Sequence, residues 1–183
     1  MKKTGLMAAA LAAAVLAVPA AAQTAESRIS VMPYVGYGFY GTLGDDGPRL
    51  SEDIAIGGRA AYQLTPQWGL YGNFQRSTPA VNDGEDATVD HWSAGVEFSY
   101  FPRGGAEGII PLMLEAGVGQ VRYDFPGGTK VNDLAGSIGI SSALAVSRGL
   151  SVRWGVNDYI SNFDGDGGLT NQIFAQVGAE LRF

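Results

Sequence analysis

The sequence contains no cysteine and only one histidine among its 183 residues. The absence of cysteine excludes disulfide frameworks, thiolate metal sites and cysteine nucleophiles. One histidine cannot build a multi-histidine metal centre. We therefore expect a protein without a cofactor, in which any chemistry comes from other residue types.

Charged residues are also scarce, at 16% of the chain, with 12 Lys and Arg against 18 Asp and Glu and a net charge of −6. An average soluble chain is about one quarter charged. The composition therefore indicates that something other than water covers part of the surface. The basic residues are too few for a large nucleic-acid footprint, so we expect no nucleic-acid partner.

The first 22 residues have the pattern of a bacterial secretory signal peptide. Lys2 and Lys3 precede an apolar run over residues 6–18, and three alanines at 20–22 form a small-residue cleavage site before Gln23. An uncleaved membrane anchor is less favoured, because the run is shorter than the ~20 apolar residues of a spanning helix. We predict a cleaved signal peptide at 1–22 and one exported domain at 23–183.

Beyond residue 26, apolar and polar residues alternate with a period close to two, which is typical of β-strands. The pattern predicts eight strands, near residues 28–40, 53–64, 67–77, 90–101, 109–123, 133–146, 150–162 and 170–183. Most globular strands average 5–6 residues, whereas ~9–11 or more suit a tilted bilayer crossing.

The connections between these strands alternate in length. Those near residues 65–66, 102–105 and 147–149 are short, and those near 42–48, 79–89, 125–132 and 164–168 are longer. A meander places the short turns beside the termini and all four long loops at the other end. The prediction is an all-β, eight-stranded antiparallel up-and-down transmembrane β-barrel.

Alternation alone also fits a secreted, lipocalin-like barrel that carries a small hydrophobic ligand inside. The face opposite the apolar residues is mostly small and has too few charges for a solvent surface, which favours a narrow lumen. Aromatic residues near the strand ends resemble interfacial girdles. They are Tyr62, Trp68, Tyr100 and Phe183 at the short-turn end, and Phe39, Phe74, Trp92 and Tyr123 at the other.

The last eight residues contain Gln176, Gly178, Leu181 and Phe183 in a spacing that resembles the β-signal of outer-membrane barrels. With the leader and the strand count, the chain resembles the small eight-stranded barrels of the OmpA and OmpX type. That resemblance implies a monomer in contact with outer-membrane lipid and lipopolysaccharide, recognised by the barrel-assembly machinery through its C-terminal strand. We also expect no periplasmic peptidoglycan-binding domain after Phe183, unlike the OmpA plan.

Four charged residues on the inward face fall at a similar depth: Arg59, Glu97, Glu115 and Arg153. At ~3.3 Å per residue and a tilt near 40°, they lie roughly 13 to 18 Å from the periplasmic end. An unpaired charge in a narrow lumen is costly, so we predict a paired ion cluster. We expect Asn73 and Gln75 to assist it, and Arg28, Glu180 and Arg182 to form a second group nearer the periplasm. The cluster is either a neutral plug or part of a narrow, low-conductance path.

The four long loops are acidic. They contain twelve carboxylates against Arg49 and Lys130, a net charge of −10. Solvated turns account for much of this pattern, because Asp-Gly pairs are turn residues. The alternative is binding of a divalent cation or an unknown extracellular partner, with Asp164 and Asp166 as the best candidates.

His91 and Ser93 resemble the His-x-Ser pair of the outer-membrane lipid A deacylases, in which a base activates a nucleophile. Ala94 and Gly95 follow where that family has Asn, and Gly105 stands where a carboxylate is expected. The strand phase directs His91 and Ser93 into the lumen, away from lipid, so we expect no enzyme and a polar His91 at the external rim. The favoured function is an integral outer-membrane barrel with a filled polar lumen and a structural or surface-interaction role.

Overall fold

The computed structural model describes residues 28–45, 47–82, 84–100, 111–163 and 168–183. The predicted signal peptide, the turn at 102–105, Asp164 and Asp166 lie outside these residues. Within the described ranges, no helix is long and apolar enough to cross a membrane.

The described chain forms ten β-strands. They are β1 (Ile29–Phe39), β2 (Gly41–Thr42), β3 (Arg49–Leu50), β4 (Asp53–Gln63), β5 (Trp68–Ser77), β6 (Thr88–Ser99), β7 (Leu112–Asp124), β8 (Lys130–Ser147), β9 (Leu150–Asn162) and β10 (Leu169–Arg182). Eight of them close into one antiparallel barrel in the order β1-β10-β9-β8-β7-β6-β5-β4. The predicted fold class and all eight predicted strands are confirmed.

The differences from prediction lie at strand ends and in one loop. β8 begins at Lys130, three residues before its predicted start, and β6 spans Thr88–Ser99 rather than 90–101. The short β2–β3 hairpin was not predicted, because two-residue strands leave no periodic pattern. The seam closes where the Phe183 amide donates to the Ile29 carbonyl at 2.9 Å, which places β1 and the end of β10 beside the short turns.

The strand register fixes the tilt of the barrel. Cross-strand partners lead once around the wall, from Phe39 through Ile173, Asp158, Ile138, Ala116, Val96, Leu70 and Tyr62 to Ile29. The path returns to β1 ten residues earlier. For eight strands, a shift of ten corresponds to a tilt of about 40° and an interior only wide enough for side chains.

The apolar residues face outward, as predicted. Burial alternates residue by residue along β1 and β5, and the exposed face carries large apolar side chains, with Val118 at 68% and Leu134 at 82% exposure. This is the reverse of a lipocalin-like barrel, whose apolar residues face inward.

The girdle prediction holds for most of its residues but is wrong for Tyr123. Trp68 and Tyr62 are exposed near the short turns, and Phe74 and Trp92 are exposed towards the long loops. Tyr123 is completely buried inside the barrel. The reason is its phase, because the outward residues of β7 have even numbers and Tyr123 has an odd one.

Candidate functional site

The lumen holds the four charged residues of the predicted cluster in mutual contact. Arg153 Nη2 lies 2.8 Å from Glu97 Oε2 and 2.6 Å from Glu115 Oε1. Arg59 Nη2 lies 2.7 Å from Glu97 Oε2 and 3.7 Å from Glu115 Oε2. All four side chains are almost completely buried, so each charge is compensated inside the wall rather than by water.

Glu180 extends this cluster towards the periplasm. Its carboxylate lies 3.6 Å from Arg153 Nη1 and 3.1 Å from Arg182 Nη2. Glu180 and Arg182 of the second expected group are therefore continuous with the first group, and the three arginines and three glutamates so joined have zero net charge. Arg28 is exposed at the start of β1.

Above the ions lies a layer of tyrosine and amide side chains. The single proton of the Tyr34 hydroxyl has two acceptors in reach, Asn73 Oδ1 at 2.9 Å and Gln75 Oε1 at 3.2 Å, and Asn73 Nδ2 donates to the Tyr159 hydroxyl at 2.7 Å. Asn73 and Gln75 therefore bond to tyrosines rather than to the charged side chains they were expected to assist. Tyr71 packs against the ion network, because the Arg59 guanidinium lies 4.2 Å from its ring centroid, and its hydroxyl lies 3.2 Å from Ser137 Oγ.

The extracellular end of the lumen is filled by an apolar and aromatic cluster, which we call the outer plug. Its buried members are Tyr40, Leu43, Leu50, Ala55, Ala87, Val89, Val121, Tyr123, Ala135, Tyr159 and Phe174. From the sequence, a polar lumen is predicted throughout. The ion network occupies the middle and periplasmic parts, whereas the outer part is mainly apolar and aromatic and encloses a few buried polar side chains such as His91 and Gln172.

Two members of the outer plug, Leu43 and Leu50, come from the first extracellular connection rather than from the barrel wall. The hairpin that carries them is held by the Leu43 amide, which donates to the Pro48 carbonyl at 3.1 Å. The Gly44 amide donates to Thr170 Oγ1 on β10 at 2.7 Å. Both leucines are at most 1% exposed, so the hairpin covers the mouth of the barrel.

His91 is fully buried in the lumen and not at the external rim where it was expected. Its Nε2 lies 2.6 Å from Gln172 Oε1, and its ring packs 4.7 Å from Tyr159 and 5.0 Å from Phe174. Gln172 in turn donates to the Tyr123 hydroxyl. Ser93 also faces inward and is buried. Neither side chain of the His-x-Ser pair meets the lipid-facing surface.

Several acidic residues assigned to the loops make structural contacts instead. Asp53 Oδ2 accepts from the Thr78 amide at 2.6 Å, and Asp90 receives two hydrogen bonds from Arg76, at 2.5 and 2.8 Å. The predicted loop charge of −10 counts Asp90 but not Arg76, the strand residue that neutralises it. Among the residues that the structure describes, no group of three potential ligands is placed to hold a metal ion. Cation binding at Asp164 and Asp166 stays a prediction.

The residues of the expected assembly signal lie along the C-terminal part of β10 and just after it, at the closing seam with β1. Gln176 is buried in the lumen, and Leu181 and Phe183 are half-buried at the periplasmic edge. At Gly178, a Cβ atom would lie 2.5 Å from the Pro33 carbonyl oxygen, so this position excludes any larger residue without a shift of β1.

Known structures share this architecture. Neisserial surface protein A aligns with a TM-score of 0.65 and 12% identity, covering 85% of this chain and 97% of that one. The N-terminal barrel of Pseudomonas aeruginosa OprF aligns with a TM-score of 0.60 and 10% identity, covering 87% of this chain and 100% of that one. OprG of the same species aligns with a TM-score of 0.53 and 12% identity, covering 88% of this chain and 98% of that one. No curated protein sequence matches the chain significantly.

The family assignment rests on the sequence itself as well as on these folds. A sequence model described as "Outer membrane protein beta-barrel domain" matches residues 8–183, nearly the whole chain. The closed antiparallel barrel, the outward apolar face and the aromatic girdles are the features of such proteins. The chain therefore belongs to the outer membrane protein β-barrel domain family and is an integral β-barrel of the outer membrane.

Proposed function

We propose that this barrel is closed, and that it acts through its outer wall and its extracellular loops rather than by conducting solutes or catalysing a reaction. The observation that carries the proposal is the filling of the lumen at two levels. The neutral ion network occupies the periplasmic part, and the outer plug with Leu43 and Leu50 occupies the extracellular part.

The two layers oppose conduction for different physical reasons. A permeating ion would have to separate Arg153 from Glu97 and Glu115, and breaking a buried pair costs several kcal/mol. The same ion would then enter an apolar region in which it loses its hydration. An uncharged solute would have to displace close-packed aromatic side chains such as Phe174.

The test is single-channel recording from purified protein in planar bilayers. The natural protein should show no discrete conductance steps. A variant combining Leu43→Ser, Leu50→Ser and Phe174→Ala opens the outer plug while leaving the ion network intact, and it should also stay closed. Adding Arg153→Ser and Glu97→Ser should produce steps, which shows that the assay detects an open lumen. Stable steps from the natural protein would refute a closed barrel.

Catalysis is tested separately, because a closed lumen does not by itself exclude a reaction at the surface. Purified protein incubated with lipid A and phospholipid should leave the mass spectrum of both lipids unchanged. If products appear, the His91→Ala variant decides whether the buried His91 is responsible. Loss of product in that variant, with a folded barrel retained, would establish an enzyme.

The biogenesis proposed for the chain follows from its two termini. We propose that residues 1–22 are removed, that the assembly machinery recognises the strand ending in Phe183, and that the barrel is a monomer. The mature protein purified from outer membranes should begin at Gln23. Deletion of Phe183 should lower the amount inserted in cells, while the purified chain still refolds in detergent.

A further inference from the structure

A recess lies at the extracellular end of the barrel, where β1 and β10 separate. The ladder between these two strands ends at the pair Phe39 and Ile173. Two residues later, Gly41 has a φ of 84°, a left-handed conformation that turns the chain from β1 into the hairpin over the mouth. The space between the hairpin and the two strands has a volume of about 690 Å³. A Cβ atom at Gly41 would meet nothing within 4 Å, so the chain leaves the recess open at this point.

Two aromatic side chains on the outward face of β1 line the recess. The ring centroids of Tyr37 and Phe39 lie 5.2 Å apart at an interplanar angle of 72°, and both residues are exposed. This edge arrangement leaves at least one face of each ring uncovered by the other ring. The face of an aromatic ring attracts cations, and quaternary ammonium groups are bound in this way.

Two opposite charges face the same recess from the side of the hairpin. Arg49 and Glu52 both line it, and both are exposed. The Glu52 carboxylate accepts a hydrogen bond from the Tyr37 hydroxyl at 3.1 Å, which places it beside the aromatic pair. In the part of the chain that the structure describes, neither Arg49 nor Glu52 forms an ion pair. Both charges are therefore available to a ligand.

The segment that carries these charges is held in place by the connection between β5 and β6. The Arg49 amide donates to Asn82 Oδ1 at 3.0 Å, and the Asn82 amide donates to the Arg49 carbonyl at 2.9 Å. The Ser51 amide donates to the Ala80 carbonyl at 3.0 Å. A ligand therefore meets a backbone that is already ordered, so less conformational entropy is lost on binding.

We infer that the recess binds a phosphocholine group, a zwitterion with a quaternary ammonium at one end and a phosphate at the other. The ammonium lies against Tyr37 and Phe39, beside the Glu52 carboxylate. The phosphate pairs with the Arg49 guanidinium through charge-assisted hydrogen bonds. Arg49 and Glu52 are three residues apart, roughly 10 Å along an extended chain, and the long Arg49 side chain can bring its guanidinium closer.

Simpler ligands use fewer of these groups. An inorganic anion pairs with Arg49 alone and is repelled by the carboxylates of the acidic loops. A divalent cation finds one carboxylate, Glu52, among the described residues that line the recess, which is fewer than the ligands it requires. A quaternary ammonium has no N–H donor and therefore suits ring faces. The inference rests on the proposed action through the extracellular loops and specifies a ligand for it.

Two variants separate the two ends of the ligand. Arg49→Gln removes the phosphate partner and leaves the backbone hydrogen bonds of this residue in place. Phe39→Leu removes one ring and keeps an apolar residue at an outward position. The matched controls are Arg76→Gln and Phe74→Leu, which change an exposed arginine and an outward aromatic residue outside the recess.

The measurement is isothermal titration calorimetry of the refolded full mature chain in a maltoside detergent, which contains neither phosphate nor choline. The probes are phosphocholine, choline, the uncharged carbon analogue of choline, and inorganic phosphate. We expect phosphocholine to bind roughly ten-fold less tightly to either recess variant, and within about two-fold of the natural protein to either control. Choline should keep its affinity for Arg49→Gln and lose affinity for Phe39→Leu, because the ring contacts the ammonium. The heat-dependent gel shift establishes that each variant is folded.

A second measurement identifies the source of the phosphocholine group. Protein in phosphatidylglycerol nanodiscs is mixed with vesicles of phosphatidylcholine or of phosphatidylglycerol, and the vesicles are floated on a density gradient. Flotation of the protein with phosphatidylcholine vesicles alone supports the headgroup of another membrane as the ligand. Binding of free phosphocholine without flotation supports a soluble compound that carries the same group.

Four results would overturn the inference. The first is a natural protein that does not bind phosphocholine. Equal affinity for inorganic phosphate and phosphocholine would leave an anion site only, and equal affinity for choline and its carbon analogue would exclude recognition of the cation. Equal losses in the recess variants and the control variants would place the ligand outside the recess. The conductance and lipid-mass measurements do not depend on any of these results, so the closed barrel proposed above is tested independently.

Discussion

The ring of Tyr34 lies so close to the backbone of Gly57 that a Cβ atom on Gly57 would come within 2.3 Å of Tyr34 Cζ. The same Cβ would lie 2.5 Å from the Phe74 carbonyl oxygen. Gly57 therefore provides the space through which Tyr34 on β1 reaches over β4 to Asn73 and Gln75 on β5. The polar middle layer depends on a missing side chain as much as on the tyrosine.

The variant Gly57→Ala should destabilise the barrel by about 1–3 kcal/mol or more, because overpacking forces the Tyr34 ring or the β4–β5 backbone to move. Gly58→Ala is the matched control, since its Cβ would point outward and meet nothing within 4 Å. Urea unfolding in lipid vesicles measures both variants. Equal midpoints for the two would mean that the contact with Tyr34 is not tight.

The ion network gives a second prediction. Arg153→Met leaves Glu97, Glu115 and Glu180 with one positive partner fewer, and removal of one partner from a buried pair costs about 3–5 kcal/mol. We expect a lower unfolding midpoint and a heat-dependent gel shift that begins at lower temperature.

The double variant Arg153→Met with Glu115→Gln should recover part of that loss, because it removes one buried carboxylate charge together with the arginine. Lys130→Gln, which disrupts a half-exposed pair, is the control and should change stability by roughly 1 kcal/mol or less. If the double variant is no more stable than Arg153→Met, the charges are not coupled in the way the distances indicate.

The outer plug predicts a local effect. Leu50→Ala removes a side chain that is 1% exposed. The variant should lower the free energy of unfolding of the hairpin that covers the barrel mouth by about 2–5 kcal/mol. The hairpin should become sensitive to protease added to whole cells, whereas the barrel below it keeps its resistance to SDS. Leu169→Ala, at a position that is 77% exposed, should leave protease sensitivity unchanged.

Depth dependence on the outer wall gives the fourth prediction. Val177 faces outward near the middle of β10, and Ile54 faces outward near the extracellular end of β4. In lipid vesicles, Val177→Lys should lower the free energy of unfolding by about 2–4 kcal/mol, and Ile54→Lys by about 0–1 kcal/mol. The difference arises because the cost of exposing a charge to lipid falls towards the interface. Equal costs would mean that the two positions do not differ in depth within lipid.

Much of the fold follows from the sequence because a barrel strand has a period of two along its whole length. The period placed the apolar residues on one face, and the lengths of the connections distinguished the two ends. The common depth of Arg59, Glu97, Glu115 and Arg153 also follows from counting residues from the turns, since one tilt applies to all strands. Tyr123 was assigned to the girdle although its odd number already placed it inside with Glu115.

Other features depend on contacts that no local pattern contains. Leu43 and Leu50 are apolar residues in a polar loop, and only the fold of the hairpin turns them into the cover of the barrel. His91 acquires its aromatic surroundings from β9 and β10, more than 60 positions away along the chain. Asp90 lies between Arg76 and Arg122 because the register pairs β6 with β5 on one side and with β7 on the other. The sequence by itself determined the strands, their faces and the approximate depth of the charges, because these follow from local spacing. Which side chains touch was decided only by the tertiary structure, because closure fixes the register between distant strands.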